Sequence, residues 1–164
     1  MIIKEKMTIV GIVSDTHDDT ARAKKVATRF KKDGVKVVLH AGDWVSPFTA
    51  RIFEGFNVFG VFGNNDGDFI QLNEVVEKEL GGVLRRRFEK ILLDNKKVAL
   101  LHGEFDEVVS ALARSGDFDV IVRGHTHAKS IERLGNNTLV LNPGYDSAIT
   151  YDTETHEAKF VETD

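Results

Sequence analysis

The sequence predicts an α/β fold in which two facing mixed β-sheets are flanked by helices, as a four-layer α-β-β-α sandwich. Three observations support this prediction. Apolar runs of strand length recur along the chain, segments with helical spacing lie between them, and short strand candidates fill about the last forty residues. Alternating strands and helices favour parallel βαβ units, whereas successive short strands favour antiparallel pairing.

The strands predicted for the parallel part are nearly unbroken apolar runs, as expected of strands that are buried on both faces. They comprise residues 7–13, 35–39, 58–62, 98–101 and 120–122. The sequence also predicts a hairpin in which residues 88–93 pair with residues 98–101 across residues 94–97.

Four helices are predicted from apolar residues spaced three and four positions apart. The first ends at Gly34, and the second runs from Ser46 and Pro47, an N-cap followed by proline, to about Gly55. The fourth lies between residues 104 and 115. The faces expected to be buried consist of Ala23, Val26, Ala27 and Phe30 in the first helix, Leu72, Val75, Val76 and Leu80 in the third, and Val108, Val109 and Leu112 in the fourth.

The carboxyl-terminal part is expected to be antiparallel. Strand candidates at 129–133, 139–142, 148–152 and 158–162 are separated by turn residues. We find no internal repeat, low-complexity stretch or linker, and 164 residues is close to the common size of one domain. The sequence therefore predicts a single domain spanning residues 1–164.

Composition narrows the classes of function. The chain has no cysteine, which excludes disulfides, thiolate nucleophiles and cysteine-bound zinc. A net charge of −4 gives no strong nucleic-acid signal, because non-specific binders normally carry a basic excess. The opening residues are too short and charged for a signal peptide, and no apolar run approaches the roughly 18 residues of a membrane span. We expect a cytoplasmic protein without a membrane partner, and a homo-oligomer is left open.

Five polar clusters follow directly on apolar strand candidates. Because the loops beyond the carboxyl ends of parallel strands gather in one crevice, we expect these clusters to converge. Residues spaced i, i+2 on extended backbone project to the same side, so both members of such a pair can face one cavity. The clusters are Ser14-Asp15-Thr16-His17, Ala41-Gly42-Asp43, Gly63-Asn64-Asn65-Asp66, Leu101-His102-Gly103 and Gly124-His125-Thr126-His127.

The residue types in these clusters indicate a metal centre. Imidazole, carboxylate and amide groups suit Mn²⁺, Ni²⁺, Fe²⁺, Co²⁺ or Zn²⁺ better than Ca²⁺. Seven candidates exceed the three or four ligands of a single catalytic ion, so two ions and a bridging carboxylate are expected. Metal-bound water loses its proton near pH 7, so no protein nucleophile is needed. The candidate ligands are Asp15, His17, Asp43, Asn64, His102, His125 and His127.

At these positions the sequence resembles the calcineurin-like metallophosphoesterases, whose pattern is Asp-x-His, Gly-Asp, Gly-Asn-His-Asp/Glu, His and Gly-His-x-His. Within that superfamily it is similar to the small single-domain prokaryotic phosphodiesterases, over about residues 7–151. The resemblance implies a binuclear enzyme, with Mn²⁺ or Ni²⁺ as the first expectations, in which a metal-bridging hydroxide hydrolyses a small phosphate ester. It further implies one ion held by Asp15, His17, Asp43 and His127, and a second held by Asp43, Asn64, His102 and His125, with Asp43 bridging.

One departure from the family pattern concerns the leaving group. Asn65 stands where the larger family usually has a histidine, and an amide donates hydrogen bonds but is no general acid at neutral pH. We therefore expect Asn65, positioned by Asp66, to contact the phosphate, and we expect a preference for substrates with good leaving groups such as aryl phosphodiesters. A second departure, Glu104, is expected to affect substrate choice.

The same residues do not fit the patterns of two other classes of hydrolase. A haloacid-dehalogenase-type phosphatase needs a second Asp where His17 stands, and a metallo-β-lactamase-type hydrolase needs an Asp-His pair that is lacking after His127. A nuclease of the same superfamily needs additional cap and DNA-binding domains, and 164 residues are too few to hold them. The remaining alternative is a non-catalytic interaction scaffold like the retromer subunit of the same fold, although the presence of all seven candidate ligands favours an enzyme.

Several residues outside the clusters are better explained by structure than by function. His40 is expected to support the core or the site, and Trp44 either lines the pocket or packs in the core. Core packing is predicted for Phe53, Phe56, Phe59 and Phe62, and solvent exposure for His156 and residues 85–87.

Overall fold

Two six-stranded β-sheets that face each other form the centre of the computed structural model, which describes residues 2–3 and 9–162. Both sheets are mixed, and helices cover their outer faces. The predicted four-layer α-β-β-α sandwich is thereby confirmed. Among the described residues, none of the helices has the length and apolar character needed to span a bilayer.

The first sheet has the strand order β12-β11-β2-β3-β4-β5, with parallel pairing from β2 to β5 and antiparallel pairing at β11 and β12. Its strands are β2 (Ile9–Val13), β3 (Val37–His40), β4 (Asn57–Val61), β5 (Val83–Arg85), β11 (Ala148–Asp152) and β12 (Glu157–Val161). Met7 and Thr8, which the sequence assigns to the first long strand, lie outside the described residues.

The second sheet has the strand order β1-β6-β7-β8-β10-β9, and β8 pairs in parallel with both of its neighbours. Its strands are β1 (Ile2–Ile3), β6 (Phe88–Leu93), β7 (Lys96–Leu101), β8 (Val120–Val122), β9 (Ser130–Leu134) and β10 (Thr138–Asn142). The predicted hairpin of β6 and β7 is confirmed. Its turn is only two residues long, because Asp94 and Asn95 both adopt the left-handed backbone that such tight turns require.

Helices pack on the outer face of each sheet, and apolar clusters fill the space between the layers. One apolar cluster packs the first sheet against α1 (Thr20–Lys32), α2 (Pro47–Arg51) and α3 (Phe69–Asn73), and α3 continues as the π-helical segment Glu74–Glu79. A second cluster lies between the two sheets. A third packs the second sheet against α4 (Asp106–Ser115).

Two of the predicted helices differ in detail from those observed. In α4, Val109 and Ala113 are the fully buried pair, whereas Val108, predicted to face inward, is 48% exposed. The second helix ends at Arg51 rather than near Gly55, because the chain continues in turns whose hydrogen bonds span three residues, such as Glu54 N–H to the Arg51 carbonyl.

The carboxyl-terminal strands are antiparallel only in part. The pairs β9–β10 and β11–β12 are antiparallel as predicted, but they belong to different sheets. All five residues of Thr138–Asn142 are buried, and this strand lies inside the second sheet beside β8, with which it pairs in parallel. Strand β5 was not predicted, because its two buried apolar residues are followed by the exposed Arg85 and do not form an unbroken apolar run.

Candidate metal centre

All seven predicted ligands lie on loops that begin at the carboxyl ends of strands. Parallel strands place these ends at one edge of each sheet, and the two sheets face each other, so the loops meet at one rim of the sandwich. The ligands are Asp15 and His17 after β2, Asp43 after β3, Asn64 after β4, His102 after β7, and His125 and His127 after β8.

Four of these side chains form what we term the first ligand group: Asp15, His17, Asp43 and His127. One possible ligand atom from each lies within 4.8 Å of the others. Two ligands of one ion at about 2.2 Å can be at most about 4.4 Å apart, so only small side-chain movements would bring all four onto a shared ion. Asp15 and Asp43 are buried, and the two imidazoles above them are partly exposed. The group is therefore open on one side.

The second ligand group comprises Asn64, His102 and His125. The amide oxygen of Asn64 lies 3.0 Å from His102 Nε2 and 3.0 Å from His125 Nδ1. His102 Nε2 is also 3.5 Å from Asp43 Oδ2. These contacts place the second group directly beside the first, with the Asp43 carboxylate between them.

Asp43 is the residue that joins the two groups. Its Oδ2 atom lies 3.3 Å from His17 Nε2 on one side and 3.5 Å from His102 Nε2 on the other. Burial on its own would raise the pKa of Asp43, but hydrogen bonds from His102 and from the backbone and side chain of Asn65 hold it well below its usual range. A carboxylate that stays charged between the two ligand groups is suited to bridge two cations.

The buried oxygen of Asp15 supports a cation at the first group. Asp15 Oδ2 accepts hydrogen bonds from Ser14 Oγ at 2.6 Å and from the His125 N–H at 3.2 Å. Asp15 Oδ1 is buried and has no hydrogen-bond partner among the described residues, while His127 Nε2 lies 3.3 Å away. An unpartnered buried carboxylate oxygen costs free energy unless a donor or a cation meets it, so this atom fits a metal ligand.

His102 presents its metal-binding nitrogen to other acceptor atoms. Its Nδ1–H donates to the Ala41 carbonyl at 2.7 Å, which leaves Nε2 directed at the oxygens of Asp43 and Asn64. Burial works to lower the pKa of His102, but the hydrogen bonds with Asp43 and Ala41 raise it above the ordinary value. Nitrogen and oxygen lone pairs that converge in this way need a proton or a metal ion between them.

The backbone at the ligands is left-handed rather than extended. Five of the seven predicted ligands have positive φ, between 42° and 69°. The expectation that these i, i+2 pairs lie on extended backbone is therefore wrong. Both members of each pair nevertheless reach a ligand group. Such conformations cost about 1–3 kcal/mol each in non-glycine residues and cluster at functional sites. The five residues are Asp15, His17, Asp43, His125 and His127.

Glycines allow the ligand loops to approach each other closely. A Cβ atom on Gly63 would overlap the Asp43 carboxylate, and one on Gly124 would overlap Ser14 Oγ and Asp15 Oδ2. Gly42 combines a positive φ with a Cβ position 2.8 Å from His102 Nδ1. These positions are closed to larger residues by contact with the ligands themselves.

Asp66 does not position Asn65 as expected, and it faces the backbone rather than the cavity. Its carboxylate accepts hydrogen bonds from the N–H groups of Asp43 at 3.0 Å, Val45 at 2.7 Å and Gly63 at 2.7 Å. The Asn65 amide instead donates to Asp43 Oδ2 at 2.8 Å. Asp66 therefore ties the Asp43 loop to the Gly63 loop, and its role is to position the ligand Asp43.

We expect Asp66→Asn to lower metal affinity about 10- to 100-fold and to destabilise the fold by about 1–3 kcal/mol, because the amide cannot accept from all three N–H groups. Titration with Mn²⁺ and thermal unfolding measure the two effects. Asp68→Asn is the matched control, since Asp68 caps α3 and asparagine caps helices equally well. Equal effects of the two substitutions would contradict the assigned role.

Buried residues behind the ligands were only partly predicted. His40 accepts from the Gly42 N–H at 3.1 Å, so its other nitrogen donates to Thr16 Oγ1, and burial holds its pKa well below the ordinary value. The Trp44 ring stacks on His40 at 3.4 Å between centroids, and its N–H donates to the Val61 carbonyl. His40 therefore supports the site, and Trp44 packs in the core rather than lining the pocket.

Two residues that the sequence did not single out hold the loops of the second sheet. Arg123 donates to Asp106 and to the Gly103 carbonyl, both at 2.6 Å. Asn142 donates to Thr126 Oγ1 at 2.9 Å. Both are polar residues at the end of an apolar strand, which is the signal that identified the ligands, but neither belongs to one of the five clusters.

The other expectations that concern burial are met with one exception, and the expected effect of Glu104 on substrate choice stays a prediction. Phe53, Phe56, Phe59 and Phe62 are buried, residues 85–87 are exposed, and Glu104 forms an ion pair with Arg87. His156 is not simply solvated, because its ring is half-buried and Nδ1 lies 2.9 Å from the Tyr151 hydroxyl.

Comparisons with known proteins agree with the fold and with the family resemblance of the sequence. The chain is 34% identical over 137 residues to phosphodiesterase MJ0936 of Methanocaldococcus jannaschii, covering 82% of each protein. It superposes with a TM-score of 0.88 on the structure of an archaeal phosphodiesterase, at 31% identity and covering 94% of this chain and 99% of that one. YfcE, a phosphoesterase from E. coli, shares the fold with a TM-score of 0.69 at 21% identity, covering 96% of this chain and 100% of that one. The profile of the calcineurin-like phosphoesterase superfamily domain matches residues 7–161, and the chain therefore belongs to this superfamily.

Proposed function

We propose that the protein is a binuclear metal-dependent phosphodiesterase. The single observation that carries the proposal is the Asp43 carboxylate, which lies within 3.5 Å of imidazole nitrogens from both ligand groups. The M. jannaschii relative, a phosphodiesterase, supports the same reaction class. The proposed ligands of one ion are Asp15, His17, Asp43 and His127, and those of the other are Asp43, Asn64, His102 and His125.

The residues of the site have distinct tasks in this proposal. When bound, two divalent ions supply a water of low pKa as nucleophile and stabilise negative charge at phosphorus. Ser14 and the His125 N–H fix the rotamer of Asp15, and the Ala41 carbonyl fixes the tautomer of His102. These contacts hold the ligands before any ion binds, which reduces the cost of ordering them. The donor set suits all of Mn²⁺, Ni²⁺, Fe²⁺, Co²⁺ and Zn²⁺, and Mn²⁺ or Ni²⁺ is proposed first because of the family resemblance.

Asn65 is the proposed phosphate contact. Its side chain is exposed at the rim, and its amide already donates to Asp43 Oδ2 at 2.8 Å, so a donor stands beside the shared carboxylate. Because an amide cannot protonate the leaving group, the rate should rise steeply as the leaving group becomes more acidic.

We expect Asn65→Ala to lower kcat for aryl phosphodiesters about tenfold, since one hydrogen bond to the phosphate is lost. Steady-state kinetics with bis(p-nitrophenyl) phosphate measure the change. Asn73→Ala serves as the control, because Asn73 lies at the end of α3, away from the ligand loops. An unchanged kcat in Asn65→Ala would show that the residue has no part in the reaction.

The proposed activity is tested by a panel of substrates with purified protein and added Mn²⁺ or Ni²⁺. Cyclic nucleotides, linear dinucleotides, aryl phosphodiesters and phosphomonoesters should separate diesterase from monoesterase activity. We expect metal-dependent release of p-nitrophenol from aryl diesters, removed by a chelator and restored by Mn²⁺. Absence of product from every ester would contradict the proposal.

The non-catalytic scaffold is the alternative function. Vps29 proteins have the same fold, with a TM-score of 0.65 for that of Entamoeba histolytica, but at 18% identity the likeness concerns the fold alone. No contact of the described residues favours a protein partner over a substrate at the rim. Tight binding of a partner, together with no hydrolysis of any ester, would support the scaffold.

We also propose that the protein acts in the cytoplasm on a small phosphate ester, rather than on nucleic acid or at a membrane. The net charge of −4 supports a small substrate, because it disfavours binding to polyanions. A homo-oligomer stays a prediction, and analytical ultracentrifugation would test it.

A further inference from the structure

An open cavity of about 310 Å³ adjoins the first ligand group. Its lining includes the predicted ligands His17 and His127 together with Arg22 and Tyr145. Its volume is at the lower end of the range for small-molecule sites, and it suits a single ring better than a whole nucleotide or peptide. A substrate whose phosphorus lies at the ligand groups would extend one of its substituents into this space.

Tyr145 supplies a flat and accessible surface in the cavity. The side chain is 54% exposed, and its ring lies 5.6 Å from the His127 ring at an angle of 47°. A large aromatic ring that remains half exposed beside a polar site has apolar area to offer to a ligand. Tyr145 therefore extends the wall of the metal centre outward with a surface for stacking.

The loop that carries Tyr145 is fixed relative to His127. The Gly144 N–H donates to Asn142 Oδ1 at 2.9 Å, and Asn142 in turn donates to Thr126 Oγ1 at 2.9 Å and to the Gly124 carbonyl at 3.2 Å. Asn142 is buried, so these hydrogen bonds are shielded from water. The backbone that carries Tyr145 is thus held in place before a ligand arrives, which lowers the entropic cost of stacking.

Arg22 places a hydrogen-bond donor beside the ring. Its Nη2 donates to the Asp15 carbonyl at 3.0 Å, whereas its Nη1 is buried without a hydrogen-bond partner among the described residues. The acids Asp19 and Asp146 offset the charge of the guanidinium. If a substrate carried a second phosphate in this cavity, that phosphate would lie near the carboxylate of Asp19 and be repelled by it. An uncharged ring with an acceptor atom therefore fits the cavity better than an anion.

We propose that this cavity is a subsite for a planar aromatic ring on the substrate, which stacks on Tyr145. The subsite rests on the proposed phosphodiesterase function for its orientation, since it takes a substituent of the ester whose phosphorus lies at the two ligand groups. Tyr145 is then a specificity-determining residue that separates aryl and nucleoside esters from alkyl esters of equal charge.

The test compares two non-hydrolysable ligands of equal charge, phenylphosphonate and methylphosphonate, by calorimetric titration of the Mn²⁺-loaded protein. We expect phenylphosphonate to bind about tenfold more tightly, the usual size of one stacking contact. In Tyr145→Ala the ratio of the two dissociation constants should fall to near one, and Tyr145→Phe should restore it. Phe105→Ala is the matched control, because Phe105 is 67% exposed but lies beside α4 and outside the cavity.

Each outcome bears on the subsite. A ratio that persists in Tyr145→Ala, that is lost equally in Phe105→Ala, or that is absent from the wild type would overturn it. Hydrolysis of bis(p-nitrophenyl) phosphate by the wild type is measured in parallel. Hydrolysis without a Tyr145-dependent ratio would refute the subsite alone. A Tyr145-dependent ratio without hydrolysis of any ester in the substrate panel would refute the phosphodiesterase function alone.

Discussion

Replacing Asp43 with asparagine is expected to remove metal-dependent hydrolysis, with a loss of more than about 100-fold in kcat/KM. Mutation of residues that only support the ligands of a metal site typically costs 10- to 100-fold in metal affinity or activity. Asp43 is in direct contact with both ligand groups, so its loss should cost more. Asparagine removes the negative charge between the two groups, and its amide NH₂ would donate to the imidazole nitrogens of His17 or His102 in place of a cation. Calorimetric titration with Mn²⁺ and kinetics with an aryl phosphodiester measure the two losses.

Asp18→Asn is a suitable control for this substitution. Asp18 lies at the same rim and has a positive φ that asparagine tolerates well, but it belongs to neither ligand group. We expect its activity to stay within about twofold of the wild type. Hydrolysis that survived in Asp43→Asn, with the fold shown intact by circular dichroism, would count heavily against a shared carboxylate.

Replacing Gly63 with alanine is expected to have the largest effect on stability. The added Cβ would overlap Asp43 Oδ1 and lie 2.5 Å from the Asp43 backbone nitrogen, so the new methyl group meets rigid backbone as well as the carboxylate. Overpacking of a rigid site costs about 1–3 kcal/mol or more. We therefore expect a clear drop in the melting temperature together with a loss of metal binding, because the displaced carboxylate is the proposed bridge.

The same loop provides an internal comparison in Gly67. An ideal Cβ on Gly67 has no atom within 4 Å, and its φ is not in the left-handed region. Gly67→Ala should therefore be neutral or stabilise the fold by about 0.4–1 kcal/mol, since it restricts the unfolded chain. Similar melting temperatures for the two variants would show that the Gly63 loop moves freely, which would weaken the structural basis of the site.

The general position of the metal centre was predictable because it depends on local signals. Each ligand cluster follows an apolar run, and parallel strands must place such clusters at one edge. The i, i+2 spacing of Asp15 and His17 correctly indicated a shared cavity, although the backbone there is left-handed and not extended. The residue types were therefore sufficient to find side chains that lie together at the candidate site, whereas their local backbone conformation was not predicted.

What could not be predicted depends on contacts between distant segments. Asp66 reaches across to the Asp43 loop, and Asn142 reaches the Thr126 loop only because β10 lies beside β8. The sequence predicted antiparallel pairing for that part of the chain, so the position of the Tyr145 loop could not follow from it. The cavity beside the first ligand group is lined in part by Tyr145, so it depends on the parallel pairing of β10 with β8, which the sequence did not predict.

The stacked pair of His40 and Trp44 provides an intrinsic fluorescence signal close to the candidate metal centre. Trp44 is the single tryptophan of the chain, it follows Asp43 directly, and its indole lies 3.4 Å from an imidazole whose hydrogen bonds run to the ligand loops. Its emission therefore comes from one defined place, a residue away from the shared carboxylate. Ion loading at the rim can be followed through this fluorophore in the unlabelled protein, before any substrate is known.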